Sequence, residues 1–177
     1  GKKCLPGCDC DSFIEIWNAG VFIEFDRDSL GKLHELKFKS VDTGAGLERI
    51  AMILQNKKDV YETSLFLPIL EELERFSNKK YKDNEKAFRI VLDHLRAAVF
   101  LIGDGVLPSK IDKGYVLRRI LRRSINYGNM LGIEKDDFLK LVKKIMDIYK
   151  KEYIELKQES LIFNTIKNEY EKFSKTL

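Results

Sequence analysis

The sequence predicts a mainly helical α+β protein, in which a few antiparallel strands precede a helical bundle. Residues 11–44 contain β-branched and aromatic runs with partial two-residue alternation, which is typical of strands. From Leu47 onward the apolar residues recur with a period of about 3.6, which is typical of helices. A length of 177 residues suits one ordinary domain, or one domain with a piece of another. We therefore divide the chain into a first part, 1–60, and a helical part, 61–177.

Three runs in the first part are predicted to form two or three short antiparallel strands. They are Phe13–Trp17, Val21–Phe25 and Leu33–Phe38, and the turn-forming residues Asp28–Gly31 precede the last of them. So few strands do not close a sheet with a core of its own. We therefore expect this end of the chain to need a packing partner.

Segments with helical periodicity fill most of the remaining sequence. They are Leu47–Gln55, Ser64–Phe76, Glu85–Ile102, Gly114–Met130, Asp136–Lys150 and Tyr153–Lys175. The last of these segments ends without a C-capping signal. We therefore expect both ends of the sequence to be cut from a longer chain.

The composition excludes several classes of protein. A hydrophobic content of 44% and a charged content of 34% are typical of soluble globular proteins, not of disordered or membrane proteins. No apolar run approaches the 18 residues or so of a membrane span, and the N-terminus lacks the apolar stretch of a signal peptide. We expect a cytoplasmic protein without a membrane partner. The net charge of +4 is only mildly basic and does not by itself indicate nucleic-acid binding.

The three cysteines, Cys4, Cys8 and Cys10, all lie within the first ten residues, so a long-range disulfide framework is excluded. Their spacing is compatible with a metal site. A structural zinc usually has four ligands, and the two histidines, His34 and His94, do not form a ligand-like pair. Two interpretations remain: a Zn²⁺ site completed by a ligand upstream of residue 1, and three free thiols on a loop.

The segment Ser40–Ile50 combines a strand end, two glycines and a helix start. Glycine allows close backbone approach, and a helix N-terminus offers N–H groups and a partial positive charge to an anion. Arg49, one turn into the helix, is placed to add a bidentate contact to a phosphate. The alternative is an ordinary connection between a strand and a helix.

The helix predicted over Gly114–Met130 has two different faces. Leu117, Ile120, Leu121, Ser124 and Ile125 share one half of the helical wheel, and Arg118, Arg119, Arg122, Arg123 and Asn126 share the other. Between Lys110 and Arg123 the only acidic residue is Asp112, so local neutralisation is absent. RNA phosphates are the natural partner of such a face. The alternative is a solvated helix face paired with acidic neighbours.

Two further features of the helical part are given structural interpretations. The loop Gly103–Ser109, with two glycines and a proline, sets the angle between two helices. Asp93 and His94 suggest catalysis or metal binding, but a single histidine in an amphipathic helix is more often packed or hydrogen-bonded. Arg89 and Arg96, on the same helix, are plausible secondary RNA contacts.

Several ordered segments resemble the class II aminoacyl-tRNA synthetases, in the form used by the alanyl-tRNA synthetases. The sequence Asp42–Arg49 resembles the third signature motif of class II enzymes. The opening before Trp17 is most similar to the archaeal branch of the family. The other matching blocks are Glu15–Asn18 with Val21–Phe22, Arg89–Ala97, Gly103–Ser109 and Gly114–Arg123.

The resemblance implies roles for residues of the first part, which it identifies as the end of a class II catalytic core. Arg49 corresponds to the catalytic arginine that binds the terminal phosphates of ATP, supplied with Mg²⁺, and Gly46 lies at the same ATP-binding turn. Alanine would be bound by Asn18, Val21, Asp42 and Gly44, with Asp42 holding the amino group. This chain has Ala19 and Gly20 between Asn18 and Val21, where many family members have one residue.

The resemblance also identifies residues 61–177 as a helical tRNA-recognition domain, with tRNA(Ala) as its partner. In the family this domain holds the acceptor stem near a G·U wobble pair, and Asp112 and Arg123 correspond to positions implicated in that contact. The tRNA-binding face would comprise Asp112, Arg118, Arg119, Arg122, Arg123 and Asn126.

The family also has a dimer-motif helix and a strand-loop-strand clamp for the adenylate, upstream of the segment matched here. We therefore expect an incomplete catalytic core, inactive alone, that is either an expressed fragment or one half of a split enzyme. Its partner would be the N-terminal catalytic portion. Two other hypotheses remain: a freestanding helical RNA-binding or assembly module without catalysis, and a small nucleotide-binding protein that uses Gly44–Arg49.

Overall fold

The structure is a computed structural model, which describes residues 4–6, 8 and 13–176, and only the backbone at 19 and 21–23. The chain divides into two compact units, 1–63 and 64–177. The division falls after Thr63, close to the predicted boundary after residue 60.

The first unit contains an antiparallel hairpin followed by a helix. Strand β1 spans Trp17–Arg27 and strand β2 spans Leu33–Ala45. Helix α1, Leu47–Leu54, follows at once, and a short 3₁₀ helix at Val60–Glu62 ends the unit. The structure differs from the prediction at both ends of the hairpin. Residues 13–16 lie outside the strands, and β2 continues seven residues beyond the predicted end at Phe38.

The turn of the hairpin is held by the carboxylate of Asp28. Its Oδ1 accepts hydrogen bonds from the N–H groups of Leu30 and Lys32, and its Oδ2 lies 2.7 Å from His34 Nε2. These bonds, first of all the one with His34, lower the pKa of Asp28. Gly31, with φ of +82°, supplies the left-handed residue that the turn requires.

The described part of the first unit buries little apolar surface. Large apolar residues of both strands are exposed, including Trp17, Phe25, Phe38 and Val41, and Met52 is the one apolar side chain described as buried. A two-stranded hairpin is marginally stable by itself in water. The need of this end of the chain for a packing partner stays a prediction.

The second unit is a bundle of helices around a continuous apolar core. Within the described residues its helices are α2 (Leu67–Ser77), α3 (Glu85–Gly103), α4 (Asp112–Leu131), α5 (Lys135–Tyr149) and α6 (Glu159–Ser174). The longest two, α3 and α4, pack against each other. The fold class predicted from the sequence, α+β with strands before a helical bundle, is confirmed.

The last predicted helix, Tyr153–Lys175, is interrupted. A 3₁₀ turn covers Ile154–Lys157, and α6 begins only at Glu159. The side chain of Leu156 is fully buried, and a Cβ atom on Gly103 would lie 2.9 Å from its Cδ2 atom. Gln158 Nε2 also donates to the carbonyl of Gly103, at 3.2 Å. The break in the helix therefore allows this segment to pack against the end of α3.

The loop between α3 and α4 is fixed closely against the start of α4. Ser109 N–H donates to the carbonyl of Gly114 at 3.0 Å, and Ser109 Oγ donates to the carbonyl of Ile111 at 2.7 Å. A Cβ atom on Gly114 would lie 2.4 Å from the carbonyl oxygen of Leu107 and from Ser109 Oγ. Only glycine fits at this position, and the loop is the shaped connection that the sequence predicts. Across the described residues, none of the helices is long and apolar enough to cross a membrane.

Candidate functional site

The residues predicted to bind alanine are brought together by the register of the hairpin. Asn18 pairs with Gly44, and Val21 pairs with Asp42. Residues directly opposite each other in a sheet share a face, as do residues two apart along a strand. Asn18, Asp42 and Gly44 therefore lie on one face of the hairpin. Asn18 and Asp42 are exposed, as an accessible site requires.

The extra residue between Asn18 and Val21 is accommodated by a β-bulge. Ala19 and Gly20 lie opposite the single residue Thr43, and the register shifts between Asn18 and Val21. A bulge inserts one residue into one strand without displacing the pairs on either side. The bulge thus keeps Val21 opposite Asp42 in spite of the insertion. The side chain of Val21 lies outside the description.

A hydroxyl group that the sequence analysis missed holds the bulge in place. Thr43 Oγ1 accepts a hydrogen bond from Trp17 Nε1 at 2.9 Å and donates one to the carbonyl of Asn18 at 2.8 Å. Both bonds join residues that are 25 or 26 positions apart, so no local pattern indicates them. Trp17 and Thr43 lie on the face opposite to Asp42, where they position the strand that carries Asn18.

The two glycines of the motif do not form the shared turn that the sequence suggests. Gly44 lies within β2, and only Gly46 caps α1, with φ of −81° and ψ of 102°. This conformation is open to any residue. A Cβ atom at this position would lie 3.3 Å from Cδ of Arg49, a close contact that a small shift of the Arg49 side chain would relieve. The N–H group of Gly46 already donates to the carbonyl of Ile16, at 2.9 Å.

Arg49 extends back from the first turn of α1 toward the segment before β1. Its Nη1 donates to the carbonyl of Glu15 at 2.6 Å. A guanidinium group has five N–H donors, and this bond to a neutral acceptor leaves the positive charge in place. Within the described residues, no carboxylate forms an ion pair with Arg49. The side chain is exposed and thus accessible to an anionic ligand.

In the second unit, packing decides which residues of α4 face the solvent. Leu117, Leu121 and Ile125 are completely buried. On the opposite side Arg119, Arg123 and Asn126 are exposed, whereas Arg118 and Arg122 are partly buried at the edge of the face. Asp112 is the one acidic residue in the sequence of α4. The exposed face of α4 is therefore basic along its middle.

Arg122 departs from the predicted arrangement, in which all four arginines lacked an acidic partner. Its Nε lies 2.6 Å from Oε1 of Glu169 on α6, and its guanidinium lies 5.3 Å from the ring centre of Phe173. The Glu169 side chain is only 6% exposed. The acidic partner comes from 47 residues along the chain, outside the local sequence considered in the prediction. Arg122 thus joins α4 to α6.

Two of the other arginines of the face, Arg118 and Arg123, lie beside tyrosines. The guanidinium of Arg118 is 5.9 Å from the ring centre of Tyr115, and that of Arg123 is 6.0 Å from the ring centre of Tyr127. Cation–π contacts of this kind are weak at exposed sites, about 0.5–1 kcal/mol. They orient the guanidinium groups and leave their N–H donors available.

Asp112 occupies a backbone conformation that few residues adopt. Its φ is +48°, in the left-handed region, where Asn, Asp and Gly are favoured. The backbone therefore restricts the residue type at this position, independently of any contact with RNA.

The remaining candidates on α3 form contacts within the protein. Arg89 pairs with Glu85 at 2.9 Å and donates to the hydroxyl of Tyr81, and Arg96 lies 4.1 Å from the ring centre of Phe66. His94 forms a hydrogen bond with Asp93, and this bond lowers the pKa of the carboxyl group. These contacts fit the interpretation of His94 as a hydrogen-bonded structural residue. They also show that both arginines contact other side chains of the protein.

The predicted metal site is described only in part. Cys4 and Cys8 lie in the described segment, whereas Cys10 lies outside it. Over the ranges that the structure covers, no three His, Cys, Asp or Glu residues form a group able to hold a metal.

Comparison with known proteins gives a consistent result along the whole chain. The family model "tRNA synthetases class II (A)" matches residues 2–177. An alanine–tRNA ligase of Desulfosudis oleivorans is 47% identical over 178 residues, which cover 98% of this chain and 20% of the relative. Proteins of the same name from Natranaerobius thermophilus and Clostridioides difficile are 46% and 42% identical, with the same coverage. The chain thus spans about a fifth of the length of these relatives. The predicted likeness of its opening to the archaeal branch stays a prediction.

We predict that Thr43→Val loosens the bulge, because the variant loses both hydrogen bonds of the hydroxyl. The chain has one tryptophan, so its indole N–H gives a single resonance. Loss of a bond worth about 1 kcal/mol should accelerate hydrogen exchange of this proton about fivefold. Thr43→Ser, which keeps the hydroxyl, should leave the rate near that of the parent chain. Equal rates for the valine variant and the parent chain would contradict this role.

We also predict that Glu169→Ala lowers the free energy of unfolding of the helical unit by about 3 kcal/mol, since it leaves the partly buried Arg122 without its partner. Glu171→Ala is the matched control. It removes an exposed ion pair between α5 and α6, with Lys135 at 3.3 Å, and should cost less than about 1 kcal/mol. Urea unfolding measures both, and similar small losses would show that the Arg122 pair contributes no more than a surface pair.

Proposed function

The chain belongs to the class II tRNA synthetase family, and on this premise we propose that it is a segment of an alanine–tRNA ligase. Such an enzyme uses ATP to attach alanine to tRNA(Ala). The observation that carries the proposal is the hairpin register, which groups Asn18, Asp42 and Gly44 on one face beside the helix that bears Arg49. Residues suited to an amino acid and to an anion thus lie within one hairpin and the helix that follows it.

The alanine-binding role rests on complementary chemistry. The Asp42 carboxylate is suited to the ammonium group of an amino acid, and Asn18 offers a neutral amide from the opposite strand. Gly44 pairs with Asn18 and has no side chain, so it leaves space for a small substrate. Val21 would contribute an apolar wall next to Asp42.

The ATP-binding role rests on Arg49 and Gly46. Adenylate formation transfers AMP to the alanine carboxylate and releases pyrophosphate, on which negative charge develops. A positioned guanidinium stabilises that charge, and Gly46 gives Arg49 the room to fold over the start of α1. The substrate is the Mg²⁺ complex of ATP. Arg49 would exchange its neutral acceptor, the carbonyl of Glu15, for phosphate oxygens.

The RNA-binding role rests on the exposed face of α4. Arg119, Arg123 and Asn126 are available for direct contacts, and Arg118 lies at the edge of the face. Arg122 would act indirectly. Its charge is paired with Glu169, so it would hold α6 in place and not contact the RNA. Asp112 at the start of the helix is able to accept a hydrogen bond from a base edge.

The rest of the enzyme is the partner that this role requires. The chain spans about a fifth of its relatives, and the adenylate clamp of class II enzymes lies upstream of the matched segment. We expect no formation of alanyl-adenylate by the chain alone, and we place the complete enzyme in the cytoplasm. A zinc ion on Cys4, Cys8 and Cys10 stays a prediction, which metal analysis of the purified chain would test.

A second candidate is a freestanding RNA-binding module without catalysis. It is favoured by the continuous apolar core of the helical unit, which the first unit lacks over its described residues. The two candidates share the α4 face and differ in what the hairpin does.

The RNA-binding role predicts a preference between two forms of tRNA(Ala). The chain should bind the form with the G·U wobble pair at least fivefold more tightly than the same tRNA with a G·C pair. Arg123→Ala should reduce affinity for the G·U form about tenfold, because it removes a charged contact. Lys151→Ala, which removes an exposed positive charge outside α4, is the control and should change affinity less than twofold. Equal binding of both tRNAs with a steep salt dependence would indicate a nonspecific basic face.

The catalytic role predicts the behaviour of a chimera, in which this chain replaces the matching 178-residue segment of the Desulfosudis oleivorans protein. The chimera should catalyse alanine-dependent exchange between ATP and pyrophosphate. Arg49→Ala should slow the exchange 100-fold or more, and Asp42→Asn should raise the KM for alanine. Lys37→Ala, a change on the same strand as Asp42, is the control. Exchange that is unaffected by Arg49→Ala would refute the role of the motif.

A further inference from the structure

Three hydrogen-bond donors of the segment 43–49 bind backbone carbonyls at or just before Asn18. They are Arg49 Nη1 to Glu15 at 2.6 Å, the N–H group of Gly46 to Ile16 at 2.9 Å, and Thr43 Oγ1 to Asn18 at 2.8 Å. Phosphate oxygens would replace the first of these bonds when ATP binds. Of the three, only the bond from Thr43 ends on a residue of the candidate alanine site.

The position of the Asn18 side chain depends on its backbone. Asn18 is exposed, and its amide group forms no hydrogen bond with another residue that the structure describes. Ala19 and Gly20 follow it in the bulge, where the strand ladder is interrupted. A Cβ atom on Gly20 would meet no atom within 4 Å, so packing does not support the chain there. An anchor on the Asn18 carbonyl therefore limits how far the amide moves relative to Asp42.

The hydroxyl of Thr43 has one proton, and its second hydrogen bond directs that proton toward Asn18. The indole N–H of Trp17 is a donor only, so Thr43 Oγ1 is the acceptor in that contact, at 2.9 Å. The carbonyl of Asn18 is an acceptor only, so Thr43 donates to it. The direction of both bonds thus follows from the groups themselves, and Trp17 orients the hydroxyl that holds Asn18.

We propose that Thr43 is a positioning residue for alanine, which acts through the Asn18 carbonyl to hold the Asn18 amide at the distance from Asp42 that the substrate requires. This inference rests on the proposed alanine-binding function. Thr43 and Trp17 lie on the face of the hairpin opposite to Asp42, so their effect on the substrate is indirect. Thr43 should therefore affect the binding of alanine and leave the binding of ATP unchanged.

The test uses the chimera described above and its exchange between ATP and pyrophosphate. Thr43→Val should raise the KM for alanine about fivefold, which corresponds to the loss of a hydrogen bond worth about 1 kcal/mol. The KM for ATP and the rate at saturating alanine should stay within about twofold of the parent chimera, because a lost contact of equal strength in ground state and transition state raises KM alone. Thr43→Ser keeps the hydroxyl and should restore the parent KM.

A second variant tests the role of the indole donor. Trp17→Phe keeps an aromatic ring and removes the N–H group, so it should raise the KM for alanine about twofold. In the Thr43→Val background it should have no further effect, because both changes act through the same hydroxyl. Lys39→Ala is the matched control. It removes another contact between the same two strands, the ion pair with Glu24 at 3.0 Å, and should leave the KM for alanine unchanged.

Circular dichroism and the Tm establish that each variant is folded. An unchanged KM for alanine in Thr43→Val, or equal losses in the valine and serine variants, would overturn the inference. A lower Tm and a lower saturating rate without a change in KM would also overturn it, since Thr43 would then be merely structural. If the valine variant does not fold, an unchanged KM in Trp17→Phe has the same force.

Two variants of the site itself separate this inference from the proposed function. If Arg49→Ala slows the exchange and Asp42→Asn raises the KM for alanine, while Thr43→Val changes neither quantity, only the positioning role fails. If Arg49→Ala and Asp42→Asn have no effect, the proposed function fails as well.

Discussion

The packing of α4 against α3 fixes the rotation of α4 about its own axis, and the properties of the helical unit depend on that rotation. Leu117, Leu121 and Ile125 are fully buried, and Ser124 Oγ lies 3.4 Å from the carbonyl of Val91 on α3. Because successive residues turn by about 100°, burying these side chains directs Arg119 and Arg123 into solvent. The same rotation turns Arg122 toward α6. Four arginines of similar sequence context thereby acquire different roles.

In the first unit, polar groups are held in register although the described residues bury little apolar surface. Its hairpin exposes apolar residues on both strands, so hydrogen bonds carry much of the local order. Thr43 joins Trp17 to Asn18 across the bulge, and the Asp28 carboxylate closes the turn. These bonds place Asn18 opposite Gly44 even though the strand contains an extra residue. The geometry of the candidate alanine site is thus set by the backbone of the hairpin.

The features that the sequence predicted well are those with a local physical cause. The helices of the bundle follow from apolar periodicity, and the buried side of α4 was predicted because its residues recur every three or four positions. The features that it missed depend on distant parts of the chain. Glu169, which pairs with Arg122, is 47 positions away in the sequence. The last predicted helix is interrupted where Leu156 packs beside Gly103. The continuation of β2 through Gly44 is likewise set by pairing with β1, since glycine alone favours a turn.

We propose that Arg119 and Arg123 contact RNA while Arg122 remains paired with Glu169. The Nε–Hε resonances of the arginine side chains test it most directly, because each reports on one guanidinium during titration with the tRNA(Ala) acceptor-stem hairpin. The signals of Arg119 and Arg123 should shift on binding, while the signal of Arg122 should keep its position. A shift confined to Arg122, with Arg119 and Arg123 unchanged, would contradict it.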